Sequence, residues 1–92
     1  MTTETLTMTS ARYTHTIPTG EEVTYEVAPC RWDGRNILVS YPATIDLSPY
    51  RATDAYPMEA IERDWGTFSQ CLAHGEDGGE SWEVWQVTRA SR

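Results

Sequence analysis

Two short runs of strict alternation open the readable part of the chain. Tyr13, His15 and Ile17 fall on one side, and Arg12, Thr14 and Thr16 on the other. After Pro18-Thr19-Gly20 the pattern resumes, with Val23, Tyr25 and Val27 interleaved with Glu22, Thr24 and Glu26. Alternation of period two marks strands with one wet face, and a short Pro/Gly connection between two of them predicts an antiparallel hairpin. Pro29 has no N–H to give a ladder and is read as the end of the second strand. Trp32 to Asn36 reads as a turn around Gly34. Ile37 to Tyr41 is a nearly continuous apolar run, the mark of a central strand covered on both faces.

The period then changes. Pro42 to Ala55 reads as a loop with two prolines, in which Ser48-Pro49 suits the start of a helical turn. Met58, Ile61, Trp65, Phe68 and Leu72 step by three, four, three and four, which is one stripe of an α-helix. Asp54 is the expected N-cap, Pro57 fits the first turn, and Glu59 sits at the positive end of the helix dipole. Gly75 is the expected stop, and Gly66 inside the helix reads as close packing beside Trp65. Gly75 to Glu80 reads as a mobile acidic loop. Ser81 to Arg89 closes the chain as a strand with Trp82 and Val84 on one face and Trp85 and Val87 on the other. One of those tryptophans must face away from a one-sided helix layer.

The predicted fold class is therefore α+β: a small antiparallel-dominated sheet (β-β-β-α-β) with one helix packed across one face. Residues 1–10, MTTETLTMTS, read as a flexible tail or an extension of the first strand, and residues 11–92 as a single α+β domain. A domain of this length buries only about 60–65% of its extended-chain surface. The four tryptophans and five tyrosines matter for that reason, since each aromatic buries about 150–250 Å².

Charge changes the picture more than composition does. Fourteen acids face seven bases, all of them arginine, for a net charge of −7. The absence of lysine fits a GC-rich coding genome. The acids are unevenly placed: Asp54, Glu59, Glu62, Asp64, Glu76, Asp77, Glu80 and Glu83 face only Arg63 over the same stretch. A field of that sign repels phosphate backbones and draws basic surfaces in, so direct nucleic-acid binding is disfavoured. No run approaches the ~20 apolar residues of a membrane span, and the first residues, with no charged leader and no apolar run, give the expectation of no signal peptide. A cytoplasmic protein with two reduced, buried thiols, Cys30 and Cys71, is the expectation.

Candidate chemistry is sparse. Cys71 and His74 lie three apart, and with Cys30 and His15 they make four nitrogen or sulfur ligands, but without the paired short spacings of a zinc knuckle. A thiol in the most acidic part of the chain has a raised pKa, which argues against a nucleophile at Cys71. Glu62 and Asp64 flank the helical stripe, yet nothing singles out an acid/base pair. Glu76 to Glu80 is rich in oxygen ligands but fits no twelve-residue calcium loop. The expectation is a non-enzyme with no cofactor and no metal.

What remains is surface. The leading expectation is a small acidic protein-binding module, an inhibitor docking on the basic, nucleic-acid-binding surface of a protein partner, as monomer or homodimer. Its contact residues are expected to be the eight acids named above together with Trp32 and Trp85, the tryptophans expected to be exposed. In size and charge the chain resembles small phage- or plasmid-encoded anti-defence inhibitors of the anti-CRISPR or anti-restriction type. That resemblance implies carboxylates presented where a partner receives phosphates. The alternative expectation is an accessory subunit bound through a Trp-rich sheet face.

Overall fold

The computed structural model describes residues 10–30 and 36–88. The alternating segments pair as the pattern requires. Strand β1 (Ala11–Thr16) runs antiparallel to β2 (Glu22–Pro29), with Tyr13 opposite Tyr25 and His15 opposite Val23. Gly20 supplies the positive φ (96°) of the connection, where a Cβ would be strained. Strand β3 (Asn36–Pro42) lies on the far side of β2, with Val27 opposite Val39. Val23, Tyr25, Val27, Ile37 and Val39 are almost completely buried, while Thr24 and Glu26 between them face outward.

A helical layer covers this buried face. The chain turns after β3, drops Leu47 into the core, and forms a single turn, α1 (Ala52–Ala55), followed by α2 (Met58–Trp65). Ile61 and Trp65 of α2 are buried and Met58 packs at the margin, which is the first half of the expected stripe. Neither helix has a side-chain cap. Asp54 lies inside α1 rather than at an N-cap, and Pro57 occupies the N-cap of α2.

The second half of the expected helix is a strand. Gly66, at φ 120°, ends α2, and β4 (Thr67–Asp77) pairs antiparallel with β5 (Glu80–Thr88). The segment Gly75–Glu80, expected to be a mobile loop, instead holds the end of β4 and a tight turn. Gly78 and Gly79 both adopt positive φ (61° and 86°), as a two-residue hairpin turn demands. The sheet order is β1-β2-β3-β5-β4, so β3 is central as expected and β4 forms an outer edge. The α+β class, with an antiparallel sheet and a short helical layer on one face, stands. The order of elements gains a strand and a helical turn: β-β-β-α-α-β-β.

Register explains the misreading of β4. Phe68, Cys71 and His74 lie opposite Val87, Trp85 and Glu83, so six steps along β4 match four along β5. The two surplus residues form irregularities between Phe68 and Gln70 and between Cys71 and Ala73. Leu72, which continued the expected buried stripe four residues after Phe68, is the surplus residue of the second irregularity. It is 47% exposed.

Candidate functional site

Antiparallel pairing fixes which chain positions meet at each end of the sheet. The β1–β2 turn, the exit of β3 and the β4–β5 turn all lie at one end, since β1 and β3 run the same way and Pro42 pairs with Glu80. Glu21 and Glu22 sit at the first of these, and Glu76, Asp77 and Glu80 at the last, all exposed. Ala43 N donates to the Gly79 carbonyl at 2.9 Å and ties the β3 exit to that turn, with exposed Asp46 three residues on. Asp46 accepts from the Ser48 N–H and hydroxyl at 3.0 and 2.7 Å, and those bonds lower its pKa.

The start of the helical layer joins the same end. His15 Nε2 donates to the Asp54 carbonyl at 3.1 Å, and Glu59 shares a surface hollow with His15 and Thr53. Asp54 and Glu59 are exposed. Arg51, also exposed, is the N-cap of α1. Four strand spacings of about 4.8 Å span the sheet, so these carboxylates are distributed over roughly 20 Å. Among the described residues the ion pair is Arg63–Asp64, at 3.6 Å, and it lies toward the other end of α2.

The acidic region is thus an end of the sheet and not the exterior of one long helix. Three of the eight expected contact acids make hydrogen bonds within the fold. Glu62 accepts from the Phe68 N–H at 3.0 Å and closes the step from α2 to β4. Asp64 accepts from the Tyr13 hydroxyl at 2.7 Å, and that hydroxyl accepts from Trp65 Nε1 at 2.8 Å. Burial first, then the bond to Asp64, pushes the Tyr13 phenol up to about 12.

Glu83 is the third, and its setting is distinct. It lies on the helix-bearing face of β5, half-buried, opposite Val39 on one side and His74 on the other. Its Oε1 accepts from the Tyr56 hydroxyl and from Trp85 Nε1, the latter at 2.8 Å. Tyr56 connects the two helices and is buried at the centre of an aromatic group. Its ring lies 5.0 Å from Tyr25, 6.1 Å from Phe68 and 6.5 Å from Trp85. Burial, and next the bond to Glu83, raises the Tyr56 pKa far above the usual phenol value, so Tyr56 is a permanent donor. Burial and then the Glu83 charge also raise Tyr41 and the Cys71 thiol.

Trp82 and Trp85 lie on opposite faces of β5 and both are half-buried. Trp85, expected to be exposed, packs against Phe68 at 4.8 Å between ring centres, at the edge of the core. Trp82 takes the helix-free face, where it covers Gly75 on β4. Trp32 lies outside the described residues, as do positions 1–9 of the expected tail. Cys30 is buried as expected, whereas Cys71 is exposed; both are free thiols. Cys71 and His74 lie on a strand, and among the described residues no group of three or more His, Cys, Asp or Glu is placed to hold a metal. No helix among the described residues is long and apolar enough to cross a membrane.

No protein-family model, curated protein or solved structure matches the chain. Sequence reasoning missed Glu21, Glu22 and Asp46 as members of the acidic end. Their signal was present in part, since a predicted hairpin already places Glu21 and Glu22 at its turn.

Proposed function

We propose that this protein is a binding module that docks its acidic end on a basic surface of a protein partner. One observation carries the reading: exposed carboxylates from three separate connections converge on one end of the sheet, while the ion pair of the described residues lies elsewhere. Like charges held together cost the isolated fold free energy through self-repulsion, and a complementary surface relieves that cost. A partner that receives nucleic acid presents such a surface, and an inhibitor occupying it would compete with phosphates.

The test is a titration with an oligo-arginine peptide as a generic basic surface, at low and at moderate salt. Affinity should fall steeply as salt rises, because the Debye length shrinks to about 8 Å at physiological ionic strength. Neutralising Glu76, Asp77 and Glu80 together should weaken binding, and neutralising Glu26 and Glu62 should not. Binding indifferent to salt, or equally sensitive to both sets, refutes the reading. Added duplex DNA should compete with the protein for the peptide, as the inhibitor role requires.

A second reading, docking through the helix-free sheet face, is favoured by Trp82, which shares a groove there with Leu38 and Ser40. It predicts that Trp82→Ala abolishes partner binding while the triple neutralisation leaves it intact.

A further inference from the structure

Glu83 belongs to no exposed acidic set, and the space beside it has a chemistry of its own. A cleft of about 160 Å³ lies between β5 and the segment that carries α1, lined by Leu47, Tyr50, Ala55, Tyr56, Glu83 and Trp85. Its volume falls below the roughly 300 Å³ at which drug-sized pockets begin, so it suits a group the size of one side chain. Both hydrogen bonds to Glu83 converge on Oε1, and Oε2 has no donor among the described residues. A half-buried carboxylate with one oxygen outside the protein's own hydrogen bonds keeps a place for a further donor, and partial desolvation strengthens the bond it makes. Three aromatic side chains line the same space, and aromatic faces attract cations. Two other hollows also contain acids, beside Trp82 and beside His15, but their carboxylates are exposed and no hydrogen bond among the described residues fixes them.

We infer that this cleft binds a side-chain-sized organic cation, a guanidinium or alkylammonium group, with Glu83 as its counter-ion and Tyr50, Tyr56 and Trp85 as its walls. Tyr56 and Trp85 orient the carboxylate by holding Oε1, which leaves Oε2 for the incoming N–H. Such a bond is charge-assisted and partly shielded from water, the setting in which it is strongest. The inference does not depend on the docking of the acidic end, since none of the exposed acids there lines the cleft.

Methylguanidinium, n-butylammonium and the neutral isostere methylurea are the probes. Trp85 Nε1–H, bonded to Glu83, reports occupancy through its indole N–H resonance. The two cations should shift that resonance saturably and methylurea should not. Glu83→Gln keeps the shape and an acceptor oxygen for Tyr56 and Trp85, and should weaken cation binding at least about tenfold, as loss of a charged partner implies. If that variant fails to fold, Tyr50→Leu removes a wall with no role in the Glu83 bonds and should weaken binding several-fold. A peptide carrying one arginine between glycines separates the two sources of such a group. Tighter binding than methylguanidinium assigns the site to a partner's side chain, and equal or weaker binding assigns it to a free cation. The inference is overturned by equal binding of methylurea, by unchanged cation binding in the folded Glu83→Gln variant, or by no saturable shift with either cation. Loss of oligo-arginine binding on neutralising the acidic end, with these shifts intact, would bear on the docking reading alone.

Discussion

Gly75→Ala places a single methyl where the fold has left no room. A Cβ at Gly75 would lie 2.5 Å from Trp82 Cζ2, 2.9 Å from Cε2 and 3.2 Å from Cη2. The struck atoms belong to the indole ring, so relief requires the ring to leave the strand surface it covers. Inserting a methyl into a filled contact costs about 1–3 kcal/mol. Against this, replacing a strand glycine by alanine recovers about 0.5–1 kcal/mol of unfolded-state entropy. The midpoints of these two ranges leave a net loss of about 1 kcal/mol. In a domain of 60–100 residues each kcal/mol lowers Tm by about 4–8 °C. Thermal unfolding followed by near-UV circular dichroism should therefore show a drop of at least about 4 °C with a changed tryptophan band. Gly79→Ala is the control: nothing lies within 4 Å, and its cost comes from φ +86° alone, with the tryptophan band unchanged. In a Trp82→Phe background the penalty at Gly75 should shrink, as a double-mutant cycle would measure. A Gly75→Ala variant as stable as the parent, with an unaltered tryptophan band, refutes the contact.

Other outcomes follow from the same contacts. Tyr56→Phe removes a donor from the half-buried Glu83 carboxylate and should cost about 1.5–3 kcal/mol in urea unfolding with an unchanged m-value. Gly66→Ala forces a side chain to φ 120° and should cost about 1–3 kcal/mol, with loss of α2 signal in far-UV circular dichroism. The Tyr13 phenol rises from 10.0 to about 12 on folding, so the folded state holds this proton longer. Its contribution to stability is complete below pH 10 and disappears as the pH climbs toward 12, and Tyr13→Phe should flatten that alkaline decline.

The first hairpin was legible because its alternation is uninterrupted and its turn contains Gly20. The central strand followed from Ile37, Leu38 and Val39, and α2 from Met58, Ile61 and Trp65. The rest of the predicted helix failed for a definite reason. Phe68 and Leu72 prolonged the stripe by a step of four, but Leu72 is the surplus residue at the irregularity between Cys71 and Ala73 and is exposed, and pattern alone does not separate such a spacing from a helical turn. Gly66 and the run Gly78-Gly79 were signals of a break and a tight turn, read instead as a packing contact and a loop. The charge excess was visible in composition, but its gathering at one end depends on strand order, which joins Glu21 to Glu76 across the sheet. Glu83 shows the opposite limit. It counted as one more surface acid in the sequence, and only its register opposite Val39 brings it among the aromatics.

From Thr67 to Gly75 the outer strand carries no lysine, arginine, aspartate or glutamate, and it ends the sheet. A bare margin of that kind ordinarily invites stacking of one molecule on the next into fibrils. Here its main-chain donors and acceptors fall out of step with a regular strand twice within seven positions. An incoming straight strand can match only a few of them before losing phase. The irregularities that break the element's phase thus equip it against runaway polymerisation, alongside the charges of Glu76 and Asp77 at its end.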